Sequence, residues 1–290
     1  MVKLIAIDLD GTLLNNENKI STDNLDAIKH AITNGIKVVI ATGRAHFDVQ
    51  TIFKDTGIST WIIAANGATI HNPEGELVHA VPIEKNLAIP ILKWLEEEEF
   101  YYEVFSNEAI LTPQNGRELL AIEMDRIKSA NPHADIDKLR MAAKKQFSQT
   151  GFRFIESYQV IEESKWDIYN ILAFSFHEEK LEKGWGMFKG SEGLTIVTSA
   201  NHNFELEHHD ASKGNAIQKL AKQWNIDLSE VAAIGDSMND MSMLKVVGRS
   251  VAMGNARKEV KEICKEITLT NDENGVAHFI NSVTTRVKTI

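Results

Sequence analysis

Two carboxylates spaced two residues apart, Asp8 and Asp10, close the apolar run Val2–Ile7 and are followed at once by Gly11 and Thr12. A run of that composition reads as a strand buried on both faces of a parallel sheet. If the strand carries through the acids, both point the same way with Leu9 opposite. Two like charges at a buried strand end repel unless a cation lies between them. The alternative is an Asp-Gly turn with solvated acids. It leaves unexplained three distant segments that supply what such a site lacks.

The first is Gly235-Asp236-Ser237-Met238-Asn239-Asp240, where the apolar run Val231–Ile234 opens into a loop. Asp236 can complete an oxygen-rich cation site, and all-oxygen ligation beside a substrate phosphate suits Mg²⁺. Asn239 and Asp240 are placed to orient ligands or waters, or simply to cap the next helix. The second is Thr42-Gly43-Arg44, a hydroxyl and backbone N–H groups at a strand-to-helix junction, which make a phosphate seat or an N-cap. The third is Lys213, beside Gly214 at the start of a helix, a cation able to neutralise a phosphate and an anionic nucleophile. Asn66-Gly67 reads as a turn. His208 and His209 suggest a metal pair, but neighbours on an extended chain point apart. They are read as surface or interdomain residues.

The elements that would position these groups alternate. Ser21 caps a helix carrying Leu25, Ile28 and Ile32; strand Ile36–Ala41, helix Ala45–Asp55 and strand Trp61–Ala65 follow. The reading is an α/β fold with a doubly wound, Rossmann-like parallel sheet, whose ligands bind beyond the carboxyl ends of the strands. A hairpin spans 68–81. From about Ile83 the pattern becomes helix, aromatic strand (100–105), polar helical middle (115–147), long strand (167–176), helix (178–188) and two more strands. Pro90 fits the first of these helices only in its opening turn. We expect residues 83–207 to be an inserted α+β domain with an antiparallel sheet, and 1–82 with 208–290 to be the core. The α/β rhythm resumes with helix 213–224 and strand 231–234.

Bulk composition agrees. A chain of 290 residues suggests two domains, or one with a large insertion. A net charge of −10 argues against nucleic acid or an anionic membrane as partner, while a small anionic substrate stays open to local cations. One cysteine, Cys264, in a helix-like stretch, allows no internal disulfide and suits a reducing compartment. No apolar stretch approaches the ~18 residues of a membrane span. With no basic-then-apolar leader at the N-terminus, the expectation is a cytoplasmic protein.

The order Asp8-Leu9-Asp10-Gly11-Thr12, Thr42, Lys213, Gly235-Asp236-Ser237-Met238-Asn239-Asp240 resembles the haloacid dehalogenase superfamily of phosphohydrolases. The large insertion, Ala211-Ser212-Lys213-Gly214 and Asn274-Gly275-Val276-Ala277 resemble its Cof-like branch, which carries a large α/β cap. The resemblance implies that Asp8 attacks phosphorus and forms an aspartyl-phosphate, and that Asp10 protonates the leaving group and then activates water. It implies Mg²⁺ held by Asp8, the Asp10 carbonyl and Asp236, with Asn239 and Asp240 behind them. Thr42 and Lys213 would hold the phosphoryl oxygens, with Gly43, Arg44 and Asn239 as lesser contacts. The cap would close over the site and read the leaving group of a small phosphorylated metabolite such as a sugar phosphate. A phosphomutase would share the first half of this chemistry, and scoring free phosphate against isomer separates the two. A non-catalytic phosphometabolite-binding protein would not need Asp10, and a receiver-like module would not need the insertion.

Overall fold

The structure, a computed structural model, describes residues 1–284. Five strands open the chain: β1 Leu4–Ile7, β2 Lys37–Ala41, β3 Trp61–Ala64, β4 Thr69–His71 and β5 Leu77–Ala80. Six follow: β6 Tyr101–Ser106, β7 Ile110–Pro113, β8 Phe152–Ile155, β9 Ile168–Phe174, β10 Leu194–Val197 and β11 Asn203–His208. The last three are β12 Val231–Gly235, β13 Arg249–Ala252 and β14 Glu266–Ile267. Two compact units result, one from Met1–Ala80 with the chain from Asp210 on, the other Val81–His209.

The first unit is built on an eight-stranded sheet of order β14-β13-β12-β1-β2-β3-β4-β5. The six strands from β14 to β3 pair in parallel. The hairpin β4–β5 adds two antiparallel strands at one edge, so the sheet is mixed rather than wholly parallel. Every residue of β1 and β12 is buried, because helices on both faces leave these central strands no contact with water. Parallel pairing brings the carboxyl ends of β1, β2, β3 and β12 to one edge. Asp8, Thr42, Asn66 and Asp236 stand there, each just beyond its strand.

The second unit carries a six-stranded sheet of order β10-β11-β9-β6-β7-β8. It is antiparallel except for β7 and β8, which pair in parallel. One face (Tyr102, Val104, Ile171, Ala173, Phe204, Leu206) packs on the apolar sides of helices Lys85–Glu97 and Glu178–Phe188. The opposite face holds Tyr101, Glu103, Asn170 and Glu205, all buried as well. Alternation along 100–105 therefore separates two buried faces, one apolar and one that mixes these polar groups with Phe105, Leu172 and Phe174. Pro90 is the sixth residue of its helix and not in the first turn. It forgoes an N–H bond there, and the buried stripe Ala88, Ile91, Leu92 and Leu95 holds the helix in place. Strands β7 and β8 have no counterpart in the sequence reading; four residues each is too short for periodicity to show.

Candidate active site

β1 ends at Ile7, so Asp8 and Asp10 lie in the turn after the strand, and strand alternation does not govern them. Gly11 continues that turn at φ +79°. A Cβ there would stand 2.6 Å from Asp236 Oδ2, so the close approach of the two strand ends requires glycine. Asp8, Asp236 and Asp240 each bring a carboxylate oxygen within 4.8 Å of the others. Asp10 does not join them. Its carboxylate turns to Arg44 and accepts from Nε and from Nη2 at 2.7 Å each. The expectation of both acids facing one cation is corrected accordingly: only Asp8 brings its side chain to the cluster.

Lys213 is wholly buried, at the start of helix Lys213–Gln223, whose N-cap Ser212 accepts from Asn215 N. Its ammonium donates to Asp8 Oδ1 and to Asp240 Oδ1, both at 2.7 Å. Burial pulls its pKa down, but the charges of Asp240 and Asp8 and their hydrogen bonds outweigh that, and it stays cationic. Asp240 has no spare oxygen. Its Oδ2 accepts from the backbone N–H of Asp236 and of Ser237, 2.9 Å each, which fixes the loop that presents Asp236. Asp236 also takes a bond from Thr12 Oγ1 at 3.2 Å.

Burial and the charge of Asp240 push Asp236 up to about 6. Burial, then Asp240 and Asp236, raise Asp8 well above the ordinary aspartate value, against the pull of Lys213. Carboxylates that burial and mutual repulsion drive toward protonation are those that a hard cation between them would keep ionised. The donor set is all oxygen. It fits Mg²⁺.

Thr42, 1 % exposed, accepts the Arg44 N–H on its hydroxyl at 3.2 Å, which leaves the hydroxyl proton for another acceptor. Gly43 lies against Asn66, whose Oδ1 would be 3.0 Å from a Cβ on that glycine. Asn66 is therefore more than a turn residue. It is buried with φ +53°, its N–H donates to Thr42 O at 2.9 Å, and its Oδ1 accepts from Asn239 Nδ2 at 3.0 Å. Asn239 Oδ1 is buried and has no hydrogen-bond partner among the described residues. Gly67 follows at φ +106°, where a Cβ would lie 2.2 Å from Ser212 O. This tight packing carries the chain past the N-terminus of the lysine's helix. Sequence reasoning placed Asn66 at a strand's carboxyl end but read it as a turn, and gave Thr12 and Asp48 no role; the last accepts from Arg44 Nη1 at 2.7 Å. Its place just beyond an apolar run and the preference of asparagine for positive φ were the signals available for Asn66. His208 and His209 do not diverge, since β11 ends at His208, and their ring centroids lie 4.4 Å apart.

The profile of the haloacid dehalogenase-like hydrolases matches residues 5–280. The chain belongs to that family. It is 57 % identical over 281 residues to phosphatase YwpJ of Bacillus subtilis, covering 96 % of this chain and 99 % of that one. The 5-amino-6-(5-phospho-D-ribitylamino)uracil phosphatase YwtE of the same organism is 41 % identical over 282 residues, 97 % of this chain and 98 % of that one. A solved haloacid dehalogenase-like hydrolase from B. subtilis superimposes with a TM-score of 0.86 at 57 % identity, covering 97 % and 99 % of the two chains. The α/β architecture is thus that of the family, and the enzyme class is phosphatase. Among the described residues no helix is long and apolar enough to cross a membrane.

Proposed function

We propose that the chain is a Mg²⁺-dependent phosphatase that hydrolyses small phosphorylated metabolites through an aspartyl-phosphate on Asp8. One observation carries the reading. Acids from the two ends of the chain, Asp8 after β1 and Asp236 after β12, come within 4.8 Å while Lys213 holds the first of them.

In this reading Asp8 attacks phosphorus with the oxygen that Lys213 does not occupy, and the leaving oxygen takes its proton from Asp10. Water, deprotonated by Asp10, then attacks the phosphorus of the aspartyl-phosphate and frees Asp8. Splitting the hydrolysis in this way replaces one difficult transfer by two easier ones. Asp8, Asp236 and the Asp10 carbonyl would hold Mg²⁺, with Asn239 and Asp240 behind them. When bound, the ion supplies charge neutralisation between an anionic nucleophile and an anionic phosphate. Thr42, its hydroxyl held by the Arg44 N–H, donates its hydroxyl proton to a phosphoryl oxygen, the Gly43 N–H lines the same seat, and Lys213 offsets the developing charge.

The substrate class is supported by the names of two relatives. YwtE is named for a phosphorylated ribitylaminouracil, and a Yersinia pestis protein 27 % identical over 286 residues is named HMP-PP phosphatase. We assign substrate selectivity to the inserted unit, the cap, with 83–207 as its span, and infer a cytoplasmic setting without nucleic-acid or membrane partners from the charge and the single cysteine. Phosphate release from a panel of phosphorylated metabolites, with and without Mg²⁺, tests the reading. Mg²⁺-dependent release that Asp8→Asn abolishes is expected; equal release in the variant contradicts it.

A further inference from the structure

The chain after β3 turns left-handed at three successive residues, Ala65 (φ +45°), Asn66 (φ +53°) and Gly67 (φ +106°). Glycine takes that conformation freely and asparagine tolerates it, but a buried alanine adopts it only where its surroundings compel it. Strain held in this way collects at functional sites. Two backbone bonds hold it here, Ala65 N–H to Arg44 O and Asn66 N–H to Thr42 O, 2.9 Å each, and tie the loop to the phosphoryl seat. The buried Asn66 side chain meets the loop after β12, where its Oδ1 accepts from Asn239 Nδ2 at 3.0 Å. That bond fixes which way the Asn239 amide points. Its NH₂ is committed to Asn66, and its Oδ1 is left buried with no hydrogen-bond partner among the described residues. Asn239 stands in the chain between Asp236 and Asp240, two of the three acids of the cluster. A buried carbonyl oxygen without a donor is costly, so what meets it in the working enzyme brings a proton or a positive charge. An ionised phosphate ester has no proton to give. A water in the shell of Mg²⁺ does, and Mg²⁺ keeps several waters when protein carboxylates bind it.

We propose that Asn66 is a positioning residue for the cation site, holding the Asn239 amide so that its Oδ1 accepts from a water in the shell of the divalent ion. The inference rests on the proposed Mg²⁺ between Asp8 and Asp236, and goes beyond it by assigning Asn239 to the ion rather than to the phosphate. The strain in the loop then has a use. It sets an acceptor from the end of β3 against the loop after β12 while the N–H of the same residue stays on Thr42. Groups that orient what a metal holds, without touching the metal, are worth about 10–100-fold in its affinity. The reversed pair, with Asn66 as donor, would turn the Asn239 NH₂ toward a phosphoryl oxygen instead, and the two arrangements fail differently when Asn66 is cut back.

The experiment is calorimetric titration with Mg²⁺ alone, in the absence of phosphate, on the parent, Asn66→Gly, Asn66→Asp, Asn239→Ala and the double variant Asn66→Gly with Asn239→Ala. Glycine keeps the left-handed backbone and the N–H bond to Thr42 and removes only the acceptor. Asn66→Gly should weaken Mg²⁺ binding about tenfold or more, and Asn66→Asp, which keeps an acceptor for Asn239 Nδ2, should lose no more than about threefold. If Asn66 acts through Asn239, adding Asn66→Gly to Asn239→Ala should cost less than about twofold further, whereas a merely structural role would make the two losses multiply. Parent-like affinity in Asn66→Gly, an aspartate variant as damaged as the glycine one, or multiplying losses in the double variant overturns the proposal. Inhibition by inorganic phosphate at saturating Mg²⁺ is the second arm, and its Ki should move less than about threefold in Asn66→Gly. A Ki raised about tenfold with Mg²⁺ affinity unchanged gives Asn239 to the phosphate and overturns the proposal as well. Should Asn66→Gly not fold, Asn239→Ala decides alone, and parent-like Mg²⁺ affinity there overturns the proposal. A parent that binds no Mg²⁺ rejects the cation reading as a whole; a parent that binds it, with Asn66→Gly unchanged, rejects only the role of Asn66.

Discussion

The ammonium of Lys213 donates to Asp8 Oδ1 at 2.7 Å across 205 residues of chain, with no side-chain exposure on the lysine and 6 % on the aspartate. The second acceptor of that ammonium, Asp240, is as buried as the lysine. Three charges thus share one dry space, held by β1, the loop after β12 and the first turn of the helix that begins at Lys213. Desolvating them is costly, and only their mutual satisfaction offsets the cost.

Removal of the lysine therefore leaves two buried acids without their cation. Lys213→Ala should lose about 3–5 kcal/mol of stability, as broken buried pairs do, besides its activity. Chemical denaturation monitored by circular dichroism measures this. A loss below about 1 kcal/mol would mean that water reaches the acids.

Thr42 separates a positioning hydroxyl from bulk. Thr42→Ser keeps the acceptor for Arg44 N–H and the donor toward phosphate, and should retain activity within about fivefold. Thr42→Val keeps the shape but loses both, and should lose about 10²–10³-fold in kcat. Steady-state phosphate release decides, and equal activities would remove the hydroxyl from the phosphoryl seat.

Gly11→Ala tests the close approach of the two strand ends. A methyl at φ +79° and 2.6 Å from Asp236 Oδ2 must displace that carboxylate. The strained backbone alone costs about 1–3 kcal/mol. Titration calorimetry with Mg²⁺ should show weakened binding in the variant, independent of turnover. Unchanged affinity would detach Asp236 from the ion.

Glu103, in the second unit, titrates near neutrality. Burial is the main cause of a folded pKa of about 7, the hydrogen bond from Tyr101 opposes it, and the charge of Glu205 adds to it. Below the unfolded value near 4.5 the favourable neutral form is fully present. Between that value and about 7 the folded protein binds more protons than the unfolded chain, so stability falls as pH rises, by at most about 3 kcal/mol. Glu103→Gln should flatten that part of the profile, read from melting temperatures between pH 4.5 and 7. A slope as steep as the parent's would place the titration on another group.

The parallel part of the core and the sources of its site residues were legible because buried parallel strands leave continuous apolar runs, and each run here ends in a polar loop. The run ending at Ile7 predicted where Asp8 stands. It could not predict Asp10, because the strand stops at Ile7 and turn geometry then turns that side chain to Arg44. The contacts of Asn66 and Asp48 were hidden for a related reason. They depend on partners brought near by folding, Asn239 at 173 residues' distance and an arginine already bonded to another acid. In the second unit, β7 and β8 escaped notice because pairing with each other and with β6, rather than pattern, makes them strands.

Rapid acid quench of the enzyme during turnover, followed by mass spectrometry of its peptides, tests the central claim most directly. The account predicts a phosphoryl group on the peptide that contains Asp8, carried by that residue and lost in Asp8→Asn. A phosphorylated residue elsewhere, or phosphate release with no covalent species at any quench time, would contradict it.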